Sequence, residues 1–239
     1  MTAAKPLALV TGASRGIGAE LAAHLAGQGW HVLLVARTEA GLVEIEDRIH
    51  AAGGSASIVP LDLREAGAID ALAGIVAERW GRLDLLVLNA AMLGSLSPLA
   101  HAEPAEFEAV IQLNLLAQWR LLRNFDAMLR QTQGTVIALT SSVGTQPRPY
   151  WGAYSASKAA LENMVAVYAA ETSAMGIRVA VVDPGRTRTA MRASAYPGED
   201  PQTLKTPAAT AEAIASALPD LQPGLQRFVI ERDARVTVG

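Results

Sequence analysis

Tyr154 and Lys158 stand four residues apart in GAYSASKAAL, a run of small residues from Gly152 to Leu161. Lysine is scarce in this chain: Lys5, Lys158 and Lys205 are its only three, and arginine supplies the rest of its 20 Lys and Arg side chains. The Ala/Ser-rich run reads as a helix, and helix residues four apart share a face. A free phenol ionises near pH 10, too high for ready proton exchange at neutrality. An ammonium within about 6 Å favours the phenolate, so the pair is expected to donate and accept protons at a lowered pKa. Lysine can also pass a proton on, which a guanidinium cannot do in this range. The same spacing also suits a surface lysine beside a packed tyrosine.

Two more polar residues extend the set. Ser141 follows the apolar run TVIALT, thirteen residues before Tyr154. A hydroxyl at a strand's carboxyl end can bond a carbonyl oxygen and stabilise the charge that develops there; Ser142 is the neighbouring candidate. Asn114 lies inside the apolar stretch VIQLNLLAQWRLL. A buried amide needs a partner, either a neighbouring core group or a water chain reaching Lys158.

A glycine-rich turn lies near the start. TGASRGIG, Thr11 to Gly18, follows the apolar run LALVT and has glycines at Gly12, Gly16 and Gly18. Glycine permits positive φ and removes the Cβ that would hold a pyrophosphate away, and the free N–H groups of the helix that follows suit phosphate. The second strand ends in VARTEA, with Arg37 and no carboxylate before Glu39, while Arg15 lies in the turn. An acidic residue at that strand end would select NAD; two guanidiniums suit a 2′-phosphate, so NADP(H) is expected over NAD(H). Asp62 in PLDLR is expected beside an adenine, and the small residues Ala90 and Ala91 after Asn89 leave room for the cofactor backbone.

These residues need a scaffold. Apolar runs at 7–11, 31–36, 56–61, 83–88, 135–140, 178–183 and 227–231 do not alternate with polar residues, as in strands covered on both faces. Segments with helical spacing separate them, the longest over 104–131, and Gly29, Gly53, Gly81 and Gly134 sit at expected helix ends. Strand and helix in alternation predict an α/β fold, a doubly wound parallel sheet with helices on both faces. No linker or repeat divides the 239 residues, so a single domain over 1–239 is expected, with an irregular lid around 188–206.

Composition excludes other classes. The net charge of −3 and the absence of a basic block argue against nucleic acid or an anionic membrane. There are no cysteines. The start reads as no signal peptide, no apolar run is long enough to span a bilayer, and a cytoplasmic location is expected. His24, His31, His50 and His101 are scattered, so no metal site is expected. No Gly-x-Ser-x-Gly elbow supports hydrolase chemistry.

TGASRGIG, NAA, Asn114, the Ser141–Tyr154–Lys158 set and DPGRTRTAM (183–191) together resemble the short-chain dehydrogenase/reductase family over nearly the whole chain. RTRTAMRASAYPGEDPQTLKTPA and WGAY resemble a bacterial group of that family without an assigned substrate. Where the family usually has NNAG, this chain has LNAA. The resemblance implies a Rossmann-type sheet of about seven strands in the order 3-2-1-4-5-6-7. It also implies hydride transfer between a nicotinamide and a small carbonyl or alcohol. Tyr154 would be the general acid/base, Ser141 would orient the carbonyl, Lys158 would hold the ribose and lower the Tyr154 pKa, and Asn114 would anchor a relay water. Cofactor contacts would come from Gly12, Ser14, Arg15, Gly16, Ile17, Gly18, Arg37, Asp62, Leu63, Asn89, Ala90, Ala91, Tyr154, Lys158, Pro184, Gly185, Thr187 and Thr189. Trp119, Arg120 and Arg123 lie on a helix that would pair in a homodimer or homotetramer.

The leading reading is an NADP(H)-dependent carbonyl reductase or alcohol dehydrogenase. A 3-oxoacyl-thioester reductase is the second, with Arg186, Arg188 and Arg192 as a docking patch. A non-catalytic NADP(H)-sensing regulator is the third, and would be marked by a broken catalytic set.

Overall fold

The computed structural model describes residues 5–234 and 236–238. In the first strand, β1 (Leu7–Thr11), Leu7 and Leu9 enter one buried cluster while Ala8 and Val10 enter another on the opposite side. Successive strand residues point to opposite faces, so a strand covered on both faces is apolar throughout. The strands β2 (His31–Ala36), β4 (Leu85–Leu88), β5 (Thr135–Leu139) and β6 (Arg178–Asp183) follow the same rule. With β3 (Ser55–Pro60) and β7 (Gly224–Ile230) they form a parallel sheet in the order β3-β2-β1-β4-β5-β6-β7. An eighth strand, β8 (Val236–Val238), pairs antiparallel with β7 and extends the expected seven. Three residues are too short a run to signal a strand by pattern.

The helices α1 (Gly16–Gly27), α2 (Glu39–Ala51) and α8 (Pro207–Ala217) cover one face. On the other lie α3 (Ala68–Arg79), α5 (Ala117–Thr132) and α6 (Gly152–Thr172). The long helix predicted over 104–131 contains an irregularity that spacing does not reveal. It runs as α4 (Pro104–Ile111), then a π-helical turn over Gln112–Leu116, then α5. Such turns recur at functional sites, and this one carries Asn114. The expected stop at Gly134 comes one residue early, because Gln133 takes the left-handed conformation at φ +50°. No helix among the described residues is long and apolar enough to cross a membrane.

Sheet order brings the chemistry together. Leu139 of β5 is in register with Val182 of β6, and Thr140 N–H donates to the Val182 carbonyl at 2.8 Å. Ser141 and Asp183 therefore leave the sheet side by side at its carboxyl edge, where open α/β sheets bind ligands.

Candidate active site

Tyr154 and Lys158 both turn inward from α6 and are 7% and 2% exposed. The Lys158 ammonium lies 5.7 Å from the centroid of the Tyr154 ring and donates to the Leu139 carbonyl at 2.7 Å. Burial brings Lys158 down to about 8, with the nearby Glu162 carboxylate opposing the shift. Tyr154 moves the other way: burial first, then the negative charge of Asp183, raise its phenol well above the ordinary value. Loss of hydration at the buried phenol sets that direction, and the Lys158 ammonium is bonded to the β5 backbone.

Asn114 is fully buried, and its amide is committed within the protein. Its Oδ1 accepts from Met92 N–H at 2.9 Å, and its Nδ2 donates to the Met92 carbonyl at 2.9 Å and to Ser157 Oγ at 3.0 Å. Ser157 in turn donates to the Tyr154 carbonyl at 2.8 Å. The amide thus straps the loop after β4 to the turn of α6 that carries Tyr154.

Ser141 is extended, at φ −161°, and partly buried just beyond β5. Thr140, preceding it, turns the opposite way and donates to Glu162 Oε1 at 2.5 Å. Ser142 opens a short 3-10 turn.

The glycine turn is built around Asn89. A Cβ on Gly12 would lie 2.8 Å from Asn89 Nδ2, and one on Gly18 only 2.5 Å from the same atom. Asn89 uses that amide to donate to the Thr11 carbonyl at 2.7 Å, while Thr11 Oγ1 accepts from the N–H groups of Asn89 and Ala90, each at 3.0 Å. The reading that all three glycines clear a pyrophosphate is therefore narrowed. Gly12 and Gly18 clear the strand-four loop, and Gly16, at φ +61°, faces only the Thr189 methyl at 3.7 Å. The turn still fits a dinucleotide. The first turn of α1 has no capping side chain and no acidic residue, so its N–H groups suit phosphate. Ser14 and Ile17 are partly buried beside it, and Arg15 is exposed.

At the expected adenine end, Asp62 accepts from Arg64, whose Nη2 lies at 2.7 Å and whose backbone N–H lies at 3.0 Å. The Arg64 side chain holds the Asp62 carboxyl below its ordinary range. Arg37 stands 3.9 Å from Asp62 with its side chain 64% exposed. The Leu63 side chain is in the core, so only its backbone can serve a ligand. Thr187 is buried, donates to the Pro184 carbonyl at 3.0 Å and meets Thr210 Oγ1 at 3.0 Å. Its hydroxyl fastens the Pro184–Gly185 loop to α8. Thr189 caps α7 (Ala190–Ala195), accepting from Arg192 N–H at 3.1 Å.

The 188–206 segment is held by its own side chains. Arg192 forms a two-pronged pair with Glu199 at 2.5 and 2.6 Å and lies 3.6 Å from the Tyr196 ring centroid. Tyr196 packs on Trp151 at 5.8 Å, and Trp151 meets Tyr154 edge-on at 5.9 Å.

The model of the short chain dehydrogenase family matches residues 6–200. This chain belongs to that family. It is an oxidoreductase. The uncharacterized oxidoreductase YciK of Escherichia coli K12 is 41% identical over 204 residues, covering 84% of this chain and 81% of the relative. A short chain dehydrogenase of Shigella flexneri, solved complexed with NADP, shares 40% identity and a TM-score of 0.81, covering 85% of this chain and 87% of that one. The alcohol dehydrogenase of the archaeon Thermococcus sibiricus, solved with 5-hydroxy-NADP, shares 30% identity and a TM-score of 0.84, covering 94% of this chain and 96% of that one.

Sequence reasoning missed several residues at the site of this short-chain dehydrogenase. Arg64 was readable from its Asp-x-Arg spacing. Thr11, Ser157 and Gln118, whose amide donates to the Ala90 carbonyl at 3.0 Å, carry no pattern of their own. Lys205 comes beside Gly185 only through the fold. A concavity of about 620 Å³ between α8 and the β7–β8 edge is lined by neither Tyr154 nor Lys158.

Proposed function

We propose that this short-chain dehydrogenase is a single-domain, NADP(H)-dependent carbonyl reductase, with residues 188–206 as its substrate lid. The observation that carries the reading is the convergence of Tyr154, Lys158 and the Asn114–Ser157 strap at the carboxyl edge of β4 and β5, beside the uncapped start of α1. The bound dinucleotide supplies the hydride. Tyr154, kept protonated by its surroundings, gives its proton to the substrate oxygen, and Ser141 orients that oxygen. Lys158 holds the nicotinamide ribose, while Asn114 keeps α6 in register with the strand-four loop. Arg15 and Arg37 face the 2′-phosphate, because Arg64 already neutralises Asp62. The protonated phenol favours reduction over oxidation.

The thioester reading loses its docking patch in part, because Glu199 neutralises Arg192. Trp119 on α5 and Val167 on α6 are 46% and 51% exposed, and support a homodimer or homotetramer formed by these helices. A cytoplasmic location fits NADPH-driven reduction.

The test is NADPH oxidation across a panel of ketones, diketones, quinones and acyl thioesters, with Tyr154→Phe as control. The variant is expected to lose about 10³-fold in turnover while its cofactor affinity stays within about twofold. Near-normal turnover by Tyr154→Phe would overturn the assignment of the proton donor.

A further inference from the structure

Glu162 is a buried acid for which the proposed reduction has no use. It lies on α6 one turn beyond Lys158, with its side chain 8% exposed. Arg227 of β7 donates to its Oε2 at 2.5 Å, and the Thr140 hydroxyl donates to its Oε1 at 2.5 Å. A Cβ on Gly144 would stand 3.2 Å from the same Oε1, so the turn that follows β5 rests directly on the carboxylate. Ser155, also on α6, donates to the Val143 carbonyl of that turn at 2.6 Å.

We propose that Glu162 is a positioning residue of this reaction: by holding the Thr140 hydroxyl against α6 it fixes the way Ser141 leaves β5, and Arg227 holds the carboxylate in place. The proposal rests on Ser141 as the residue that orients the carbonyl oxygen.

Taking a carboxylate out of water is costly, and a buried ion pair often adds no stability over apolar side chains of similar volume. An apolar residue at 162 would fill the space, but it could not hold the Thr140 hydroxyl. With Glu162 in place, two successive turns of α6 grip two successive residues at the end of β5. Lys158 takes the Leu139 carbonyl at 2.7 Å, and Glu162 takes the Thr140 side chain. Successive residues of an extended chain point to opposite sides. Thr140 anchored on α6 therefore sets the direction of Ser141, which is itself extended at φ −161°.

The test uses Thr140→Val, which keeps the shape and removes the hydroxyl, with the ketone that the wild type reduces fastest. Turnover is expected to fall about tenfold, with NADPH affinity within about twofold, and Thr140→Ser should restore it. Glu162→Leu should lose as much and add nothing to Thr140→Val, because both break one contact. In a Ser141→Ala background each substitution should cost less than about twofold, since the hydroxyl through which it acts is gone. A merely structural role predicts equal losses with and without Ser141, and that result overturns the proposal, as does unchanged turnover in Thr140→Val. Full turnover by Ser141→Ala would overturn the reading of Ser141 and the proposal with it.

A second measurement needs no substrate and still decides should Glu162→Leu fail to fold. Gly144 N–H donates to the Ser141 carbonyl at 2.9 Å and Gln146 N–H to the Ser142 carbonyl at 2.8 Å. Hydrogen exchange over 141–146 in the cofactor-free protein is expected to quicken about tenfold in Thr140→Val, with the amides of α6 unmoved. Exchange unchanged over 141–146 overturns the proposal. A wild type that reduces no carbonyl would sink the functional reading, while the exchange still reports whether Glu162 holds this turn.

Discussion

The Trp151 and Tyr154 rings meet edge-on, their centroids 5.9 Å apart, with Tyr196 of the lid against the same Trp151 at 5.8 Å. The contact is held from behind. Tyr150 takes φ +75°, an unfavourable conformation for a bulky residue, and its carbonyl accepts from Ser97 N–H at 3.2 Å. The Tyr196 and Tyr154 rings are thereby linked through one indole.

Trp151→Ala should break that tie. The expected outcome is a fall of about tenfold in kcat/KM, equivalent to about 1.4 kcal/mol of transition-state stabilisation, with cofactor affinity within about twofold. Steady-state kinetics and cofactor-fluorescence titration separate the two, and an unchanged kcat/KM would refute the coupling.

Asn114→Ala removes the partner of both backbone groups of Met92. Leaving buried polar groups unpaired costs about 1–3 kcal/mol each, so a loss of about 2–3 kcal/mol is expected in urea unfolding. A variant as stable as the wild type would show that the strap is dispensable.

Arg37→Ala should weaken NADPH about tenfold and leave NADH nearly unaffected, because only the first carries the 2′-phosphate. Equal weakening of both cofactors in direct binding would place Arg37 elsewhere in the site.

Stability should rise with pH above about 8, where burial has brought Lys158. Between that value and the ordinary lysine range near 10.4, the unfolded chain binds the extra proton, so the slope is positive. Lys205, also lowered by burial, adds to it. The slope reverses as unfolded-state tyrosines ionise near pH 10, because burial raises Tyr154 and Tyr168 in the folded chain. Urea midpoints across this range should show the rise in the wild type and much less of it in Lys158→Met; a flat wild-type profile would contradict the burial argument.

The strands, the glycine turn and the Tyr154–Lys158 face were legible in sequence because each depends on periodicity within one element. A residue four positions along a helix is a neighbour whatever the rest of the chain does. The π-helical turn at Asn114 and the short β8 escaped because a local insertion and a three-residue strand leave no period to read. The direction of the Tyr154 shift, the inward turn of Thr187 and the commitment of Asn114 to Met92 and Ser157 were decided by tertiary structure alone. They depend on which strand ends sheet order and register set side by side, and on how much water the packed helices exclude. Glu162 and Arg227 are far apart along the chain, and only the closed fold makes them an ion pair.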